Sequence, residues 1–465
     1  METISFLVYE CLRKGERYMS KFSEHLEQCI IDSGMTENQL AKVSGFTRSY
    51  IALMKNGMRV SPDAGKMMKL IDILNLPPYE YDEIWSEYIR ARMGDSVYEK
   101  NQAVIDFLES FNNSSNISIR SYHRHEIPDI KTVNNRMDLE HLIKAVMEQE
   151  ALDPKGFIRI IMQPDAPVLG SIMPEICKNY KHLRIDHIIC LDHPPGGGYQ
   201  KDELYNIKML KFLIPVIIFS NNENYRIYHY YDQVASHFSS ASLLPCMVLT
   251  NHYVINMNAS MNKGVIIKDK EIIEFYDKLF RELKQGCRIL LKWIEDKENF
   301  CGFFDFKNKT ENVMYTVSQQ PYVGELKMEK PTKIISYCTK KGLRIFAEKE
   351  IKEKKQENDS GSVKGNSRLL LLRKLLDALK HEKYELYFMK ENRIDFPKEL
   401  HIYSYGLTDT VFMYVSEKEN IKFILNEKSF TKILHEFFRD FMKTPQVSSL
   451  EESIRYMELL IDELS

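Results

Sequence analysis

The 465-residue sequence predicts a multidomain chain, with a small all-α domain near its N-terminus and an α/β region after it. Three observations lead there. Residues 35–59 pass from one helical run to another across a single Ser-Gly break. From about 138 onward, amphipathic runs alternate with β-branched ones, as in a sheet buried on both sides. A strand–strand–helix stretch at 247–283 then returns, without a gap, at 405–441.

Composition sets the outer bounds. At 44% hydrophobic and 28% charged residues, with a net charge of −2, the chain reads as globular. Its length exceeds what one compact core usually fills. The longest apolar run, FLIPVIIF at 212–219, is far short of the ~20 residues that a membrane helix needs, so no membrane segment is expected. The first residues lack the basic start and long apolar stretch of a signal peptide. Eight cysteines, at 11, 29, 177, 190, 246, 287, 301 and 338, show no CxxC or Cys/His ligand spacing. They read as reduced, mostly buried thiols, with no metal and no cofactor expected and a cytoplasmic location.

Thr36 is a good N-cap, and Gln39 three places on completes a capping box. Leu40 and Val43 put apolar side chains on one face of the helix that follows. Ser44-Gly45 ends that helix, because glycine tolerates the backbone angles of a sharp turn. Phe46 closes the turn hydrophobically and Thr47 caps the next helix, in which Ile51 and Met54 face inward. Asn56-Gly57 ends it in a left-handed cap. The result is a helix-turn-helix. Arg48, Ser49, Ala52 and Lys55 fall opposite Ile51 and Met54, where small polar residues can approach base edges and basic ones can reach phosphates. Between 36 and 69, Lys42, Arg48, Lys55, Arg59, Lys66 and Lys69 stand against Glu37 and Asp63, a local positive patch.

On Thr36, Leu40, Ala41, Gly45, Phe46, Thr47, Arg48, Ser49, Tyr50, Ile51, Asn56, Gly57 and Arg59, this segment resembles the Cro/repressor-type (XRE) helix-turn-helix family. MMKLIDILNL at 67–76 looks like that family's fourth helix, and the resemblance covers roughly 22–77. Glu37 is a departure, since the family often has Gln there. The resemblance implies DNA recognition by Gln39, Thr47, Arg48, Ser49 and Lys55, with Asn56 and Arg59 at the backbone. Pro77-Pro78 ends the fourth helix, and Tyr81, Ile84, Trp85 and Tyr88 give a fifth helix its apolar stripe.

A loop is expected at Asn112–Asn116. Beyond it, helices are predicted at 138–152, 167–180, 201–213 and 270–286. Strands are predicted at 156–165, 184–192, 216–220, 247–257 and 264–269. In the helix at 270–286, Phe275, Leu279, Phe280 and Leu283 share a face. A shift of 158 places 247–283 on 405–441, with identical pairs that include Leu249/Leu407, Thr250/Thr408, Lys270/Lys428, Phe280/Phe438 and Arg281/Arg439. The second copy reads as shortened, with a helix at 367–380 and strands at 384–389 and 399–405. The predicted boundaries are 20–94 for the helix-turn-helix domain and 100–290 for a first α/β repeat with a sensing role. A β-rich connecting segment follows at 295–346 and a charged linker at 347–366. The second repeat, 367–465, ends in an amphipathic helix.

A duplicated α/β unit with paired strands before a long amphipathic helix resembles the phospholipase-D-like fold over roughly 138–441. Some sugar-sensing transcription regulators carry that fold without its catalytic residues. The family signature is His-x-Lys-x4-Asp. The one His-x-Lys here is His381-Glu382-Lys383, and Phe388 stands where the Asp would be, so no catalytic residue and no enzymatic activity are expected.

Other clusters have plainer readings beside their chemical ones. The loop His193–Tyr199 has glycines but no phosphate-loop spacing, so a flexible loop is expected, placed to line a pocket at the carboxyl end of the sheet. His123, His125 and Glu126 read as exposed polar residues rather than metal ligands. Asp165, Asp186, His187 and Asp192 collect at predicted strand ends, and Asp165, His187, Asp192 and Gly196 form the candidate effector site. NYRIYHYYDQ at 224–233 alternates as a strand does, or walls a pocket. The last helix opens with a capping box at Ser449 and Glu452. Its stripe of Leu450, Ile454, Met457, Leu460 or Ile461 and Leu464 either packs on its own domain or forms a dimer seam.

These residues imply a cytoplasmic, sequence-specific transcription regulator with a C-terminal effector-sensing or oligomerisation region. The alternative is an interaction scaffold, or an effector enzyme that its helix-turn-helix targets or autoregulates. Double-stranded DNA is the expected partner, together with a small-molecule or peptide effector of unknown identity. A homodimer is expected, because such proteins read two half-sites one DNA turn apart.

Overall fold

In a computed structural model of the chain, the described residues are 20–111, 127–192, 204–220, 224–238, 242–294, 313–321, 333–356, 367–381, 384–389, 400–405, 410–415, 421–442, 444 and 446–464. The chain divides into two compact units, the first reaching Gln102 and the second starting at Ala103, apart from 443–445.

The first unit is helical: α1 (Lys21–Asp32), α2 (Glu37–Ser44), α3 (Arg48–Lys55), α4 (Ala64–Ile73) and α5 (Pro78–Met93). Local sequence sets each boundary. Thr36 and Gln39 make the capping box, and Thr47 and Asp63 accept from the backbone N–H groups of Tyr50 and Lys66. Gly45 ends α2 at φ +79°, a left-handed conformation that glycine adopts freely. Leu26, Leu40, Ile51, Met54, Leu70, Ile71, Ile84 and Tyr88 are fully buried in one core. Val43 departs from expectation. It is 61% exposed, while Leu40 and Ser44 of the same helix are buried, so it lies at the margin of the buried face.

Helix α6 (Asp95–Glu109) crosses the division, and its Val104, Phe107 and Leu108 belong to the core of the second unit. That unit contains two sheets. The first repeat comprises β1 (Ile130–Val133), α7 (Arg136–Ala151), β2 (Phe157–Ile161), α8 (Pro167–Asn179), β3 (Arg184–Leu191), α9 (Tyr205–Ser220) and β4 (Tyr225–Tyr231). It continues through the short α10 (Val234–His237), β5 (Cys246–Leu249), β6 (Val254–Met257), β7 (Gly264–Ile267) and α11 (Lys270–Gln285). The chain then passes through β8 (Arg288–Ile289), at the edge of the first sheet, and β9 (Leu291–Trp293), at the edge of the second. The second repeat comprises β10 (Val313–Val317), β11 (Lys333–Cys338), α12 (Lys340–Gln356), α13 (Ser367–Lys380), β12 (Tyr384–Phe388), β13 (Leu400–Tyr405), β14 (Thr410–Val415), β15 (Ile421–Asn426), α14 (Lys428–Phe441) and α15 (Leu450–Leu464).

Strand order establishes the repeat far better than the residue identities do. The first sheet contains β7-β6-β5-β2-β3-β4, and the second contains β15-β14-β13-β10-β11-β12. In both, the middle strand pairs parallel with the next two on one side and heads an antiparallel meander on the other. The N-caps of α11 and α14, Asp269 and Glu427, are separated by the same 158 residues that relate the two sequences. The duplicated α/β unit expected from the internal sequence repeat is present.

Several sequence expectations change. The second repeat is not shortened: β10 and β11, in the stretch read as a connecting segment, are inner strands of its sheet. The stretch read as a linker from 347 begins inside α12, which continues to Gln356. Residues 216–220 are the end of α9, not a strand. Ile214, Val216 and Ile217 are all buried, and a short apolar run cannot by itself distinguish a buried helix from a buried strand. The stretch 247–257 is a hairpin, β5 and β6, turned at Thr250, whose Oγ1 accepts from the N–H groups of His252 and Tyr253.

The N-terminus of α14 ties the second unit together. Glu427 is 1% exposed, and its carboxylate accepts from the Ser429 hydroxyl at 2.8 Å, the Phe430 N–H and the Tyr231 hydroxyl at 2.7 Å. Asn206, on α9, donates to Ser429 Oγ at 2.8 Å. A carboxylate at a helix N-terminus, with several donors around it, is stabilised by both the dipole and the bonds.

Candidate functional site

The turn between α2 and α3 exposes Thr47, Arg48 and Ser49, the first residues of the second helix. Phe46 stacks on Tyr50, with centroids 5.4 Å apart, which fixes the angle at which α3 leaves the turn. Arg59 is exposed just past the end of α3, its guanidinium 6.0 Å from the Tyr50 ring. Gly57 (φ +72°) reverses the chain between α3 and Arg59. Thr47, Arg48, Ser49 and Arg59 therefore lie on accessible surface at and beyond the two ends of α3.

Lys55 is placed differently from expectation. Its ammonium lies 3.3 Å from Glu37 and 3.6 Å from Glu27, and its side chain is only 17% exposed. It anchors α3 to α1 and α2 instead of standing free for phosphate. Glu37 also lies 3.5 Å from the Arg48 guanidinium, although that side chain remains 68% exposed. The acid that departs from the family pattern thus ties α3 to α2. Gln39 is exposed, but its amide oxygen is engaged by the N–H and hydroxyl of Thr36 at 2.8 and 2.9 Å, leaving its NH2 group outward. Asn56 is half-buried. Sequence reasoning missed Glu27 and Glu37 as anchors. Spacing along one chain does not show that two acids on separate helices converge on one lysine.

A second candidate site is a cleft of about 280 Å³ beyond the carboxyl end of β2, lined by Arg136, Gln163, Asp165, Tyr205, Cys246 and Ser260 among others. Open α/β sheets commonly bind ligands at this end. Burial raises the Asp165 carboxyl above its ordinary range, offset only in part by a backbone hydrogen bond. Gln163 is held by donation to the Cys190 carbonyl and the Tyr205 hydroxyl.

Of the other predicted effector residues, His187 is a core group. It is 1% exposed, hydrogen-bonded at 2.9 Å to both the Tyr225 hydroxyl and the Met162 carbonyl, and burial pushes its pKa down to about 4. Asp192 does not line the cleft, and its backbone is clasped by the Asn206 amide. Asp186 is paired with Lys284. Gly196 and the rest of His193–Tyr199 lie outside the described residues, as do Asn112–Asn116 and the set His123, His125 and Glu126. The last helix, α15, has its predicted capping box, and Met457, Leu460 and Ile461 are buried in the second repeat's own core. That stripe is not available as a dimer seam.

Residues 26–81 match the helix-turn-helix family model, and this segment is an XRE-type helix-turn-helix. No curated protein matches the chain. Among solved structures, the chain is similar to TrmBL2, an archaeal chromatin protein described as showing a novel mode of DNA binding. Identity there is 11%, over 46% of this chain and 72% of that one, with a TM-score of 0.25. It is also similar to a phosphatidylserine synthase of Haemophilus influenzae, at 8% identity over 77% and 96% of the two chains and a TM-score of 0.23. A polyphosphate kinase from Porphyromonas gingivalis matches at 9% identity over 72% and 55%, with a TM-score of 0.21. These scores are below those of a shared overall fold.

Proposed function

We propose that the chain is a sequence-specific transcription regulator that binds double-stranded DNA through α3 and acts in the cytoplasm without catalysing a reaction. The observation that carries this reading is the exposed Thr47–Ser49 turn of a helix-turn-helix whose α3 is held from behind by Glu27 and Glu37. A rigid helix with small polar residues at its N-terminus suits base-edge contact in a major groove. The non-catalytic part rests on His381, which follows α13 and pairs with Asp377 at 3.4 Å, and on Phe388 in place of the signature's Asp.

The second unit supplies regulation in this proposal. The cleft beside Asp165 offers a cation at Arg136, a carboxyl and an amide, a set suited to a small polar effector. Copies pair through α11, which presents Ile272, Phe275, Leu279 and Leu283, all between 36% and 59% exposed. Two such helices packed antiparallel about Leu279 set Phe275 against Leu283 of the other copy. That register brings Lys278 within ~3 Å of axial rise of the other copy's Glu282, so the flanking charges are complementary.

Sequencing of genomic DNA captured on the purified full-length protein is the primary test. Enrichment of a motif with two half-sites ~34 Å apart supports the proposal, and recovery indistinguishable from input sinks it. Sedimentation of Leu279→Lys against the parent protein tests the pairing: a shift from dimer to monomer is expected, and an unchanged dimer excludes this helix.

A further inference from the structure

The geometry points to a metal site inside the helix-turn-helix unit: His25 and Cys29 on α1, with Glu80 on α5, bind a divalent transition-metal ion of the zinc class. His25 and Cys29 are four residues apart, so they project from one face of α1 on successive turns. Glu80 reaches the same point from the first turn of α5. One ligand atom from each of the three lies within 4.8 Å of the others. The His25 Nε2 to Glu80 Oε1 separation is 3.8 Å, and Cys29 Sγ to the same oxygen is 3.7 Å. Zinc bonds of ~2.0–2.3 Å in a tetrahedron place neighbouring ligand atoms roughly 3.3–3.8 Å apart, so only small rotamer adjustments close the site.

The surroundings fit a ligand set as well as the distances do. Glu87, about two turns beyond Glu80 on the same helix, sits 2.9 Å from Nδ1 of His25. That bond fixes the tautomer in which Nδ1 carries the proton and leaves the Nε2 lone pair directed at the site, the outer-shell arrangement typical of metal-bound histidine. Cys29 is fully buried, and burial together with the Glu80 charge pushes its thiol up to about 12. A bound cation reverses that balance: the Sγ–H bond breaks, the proton leaves to solvent and the thiolate takes the metal. His25 and Glu80 are partly accessible, which gives the ion an entry path and leaves a fourth position for water. One thiolate, one imidazole and one carboxylate suit a borderline cation better than calcium or magnesium.

The site would staple α1 to α5. Because Glu27, in the middle of α1, contacts Lys55 of the recognition helix, occupancy would also bear on how firmly α3 is held. The His-x3-Cys spacing on one helix does not appear in a search for CxxC or paired Cys/His motifs, and the third ligand is 51 residues further on in the sequence.

Titration of the full-length protein with cobalt(II) tests the site, because a cobalt–thiolate bond gives a charge-transfer band in the near ultraviolet. One equivalent with that band is expected for the parent protein, and loss of the band in Cys29→Ser. His25→Ala and Glu80→Gln, at partly exposed positions, give the same reading if Cys29→Ser does not fold. Glu87→Gln should keep the band while weakening the affinity roughly 10–100-fold. No band in the parent protein, or a band that persists in Cys29→Ser or in the His25→Ala, Glu80→Gln double variant, overturns the proposal. The readout involves no DNA, so it is independent of the regulator reading.

Discussion

In the second repeat, Ile433, Phe437 and Phe441 of α14 are 5%, 2% and 3% exposed, whereas their counterparts on α11, Phe275, Leu279 and Leu283, are 59%, 43% and 38% exposed. Both helices start at the same register and each has an acidic N-cap, Asp269 or Glu427, so secondary structure does not explain the difference. What differs is how each is held. Asp277 on α11 pairs with the buried Arg159 of β2 at 2.6 Å, and Lys284 pairs with Asp186 of β3 at 2.5 Å. At the place of Asp277, α14 carries His435, whose ring packs edge-on against Tyr315 of β10, and Tyr315 stacks on Phe438. Of the apolar face of α11, only Phe280 is buried against the sheet. One repeat fixes its helix with ion pairs and leaves an apolar stripe outside, while the other spends the same stripe inside its core. Duplicated sequence thus supports two roles, packing in one copy and an outward surface in the other.

The largest expected effect distinguishes the two stripes. Phe437→Ala should cost ~3–5 kcal/mol in urea unfolding, the usual result of opening a cavity in a packed core. Phe275→Ala should fall within ~0.5 kcal/mol under conditions where the protein is monomeric. Equal losses would remove the comparison.

Acid stability should come next. His187 and His229 in the first repeat, and His435 in the second, have pKa values lowered to about 4, mainly by burial. Their folded values lie below the unfolded value of ~6.5, so the unfolded chain binds more protons between those limits. The stability they contribute is present above pH ~6.5 and is lost as pH falls toward 4. For His187 alone this amounts to ~3 kcal/mol, so His187→Gln should reduce the slope in that window by up to ~1.4 kcal/mol per pH unit. Because two of the three histidines lie in the first repeat, its amide exchange should rise at a higher pH than that of the second. Simultaneous loss of protection would count against this assignment.

The N-caps give a smaller contrast. Glu427→Ala strands the half-buried Tyr231 hydroxyl and the buried Ser429 side chain and should cost ~2–3 kcal/mol, whereas Asp269→Ala removes one exposed cap bond, to Ile272, and should cost ~1 kcal/mol. Thermal melts of the two variants, matched for pH, read the difference.

The first unit was legible almost residue by residue, because caps and turn glycines act over three or four positions. Thr36, Gln39, Gly45, Thr47 and Gly57 behave as their chemistry dictates. Less could be read wherever the outcome depended on contacts between distant segments. Lys55 looked like a phosphate ligand until Glu27 and Glu37 met it. His187 looked like a strand-end polar group, yet it is enclosed by Tyr225 and Met162. The repeat was visible at α11 and α14, but its completeness was not, because β10 and β11 share little residue identity with β2 and β3. Only sheet order reveals their equivalence. In the effector cleft, Asp165 was visible as a strand-end acid, whereas Arg136, Gln163 and Tyr205 come together only through the fold.

The central claim is that α3 reads DNA, and fluorescence anisotropy on a captured genomic fragment, at one fixed salt concentration, tests it most directly. The Arg48→Ala, Ser49→Ala double variant should lose specific binding, by at least ~10-fold, while retaining the parent's circular dichroism spectrum. Affinity unchanged in that folded variant would contradict the account.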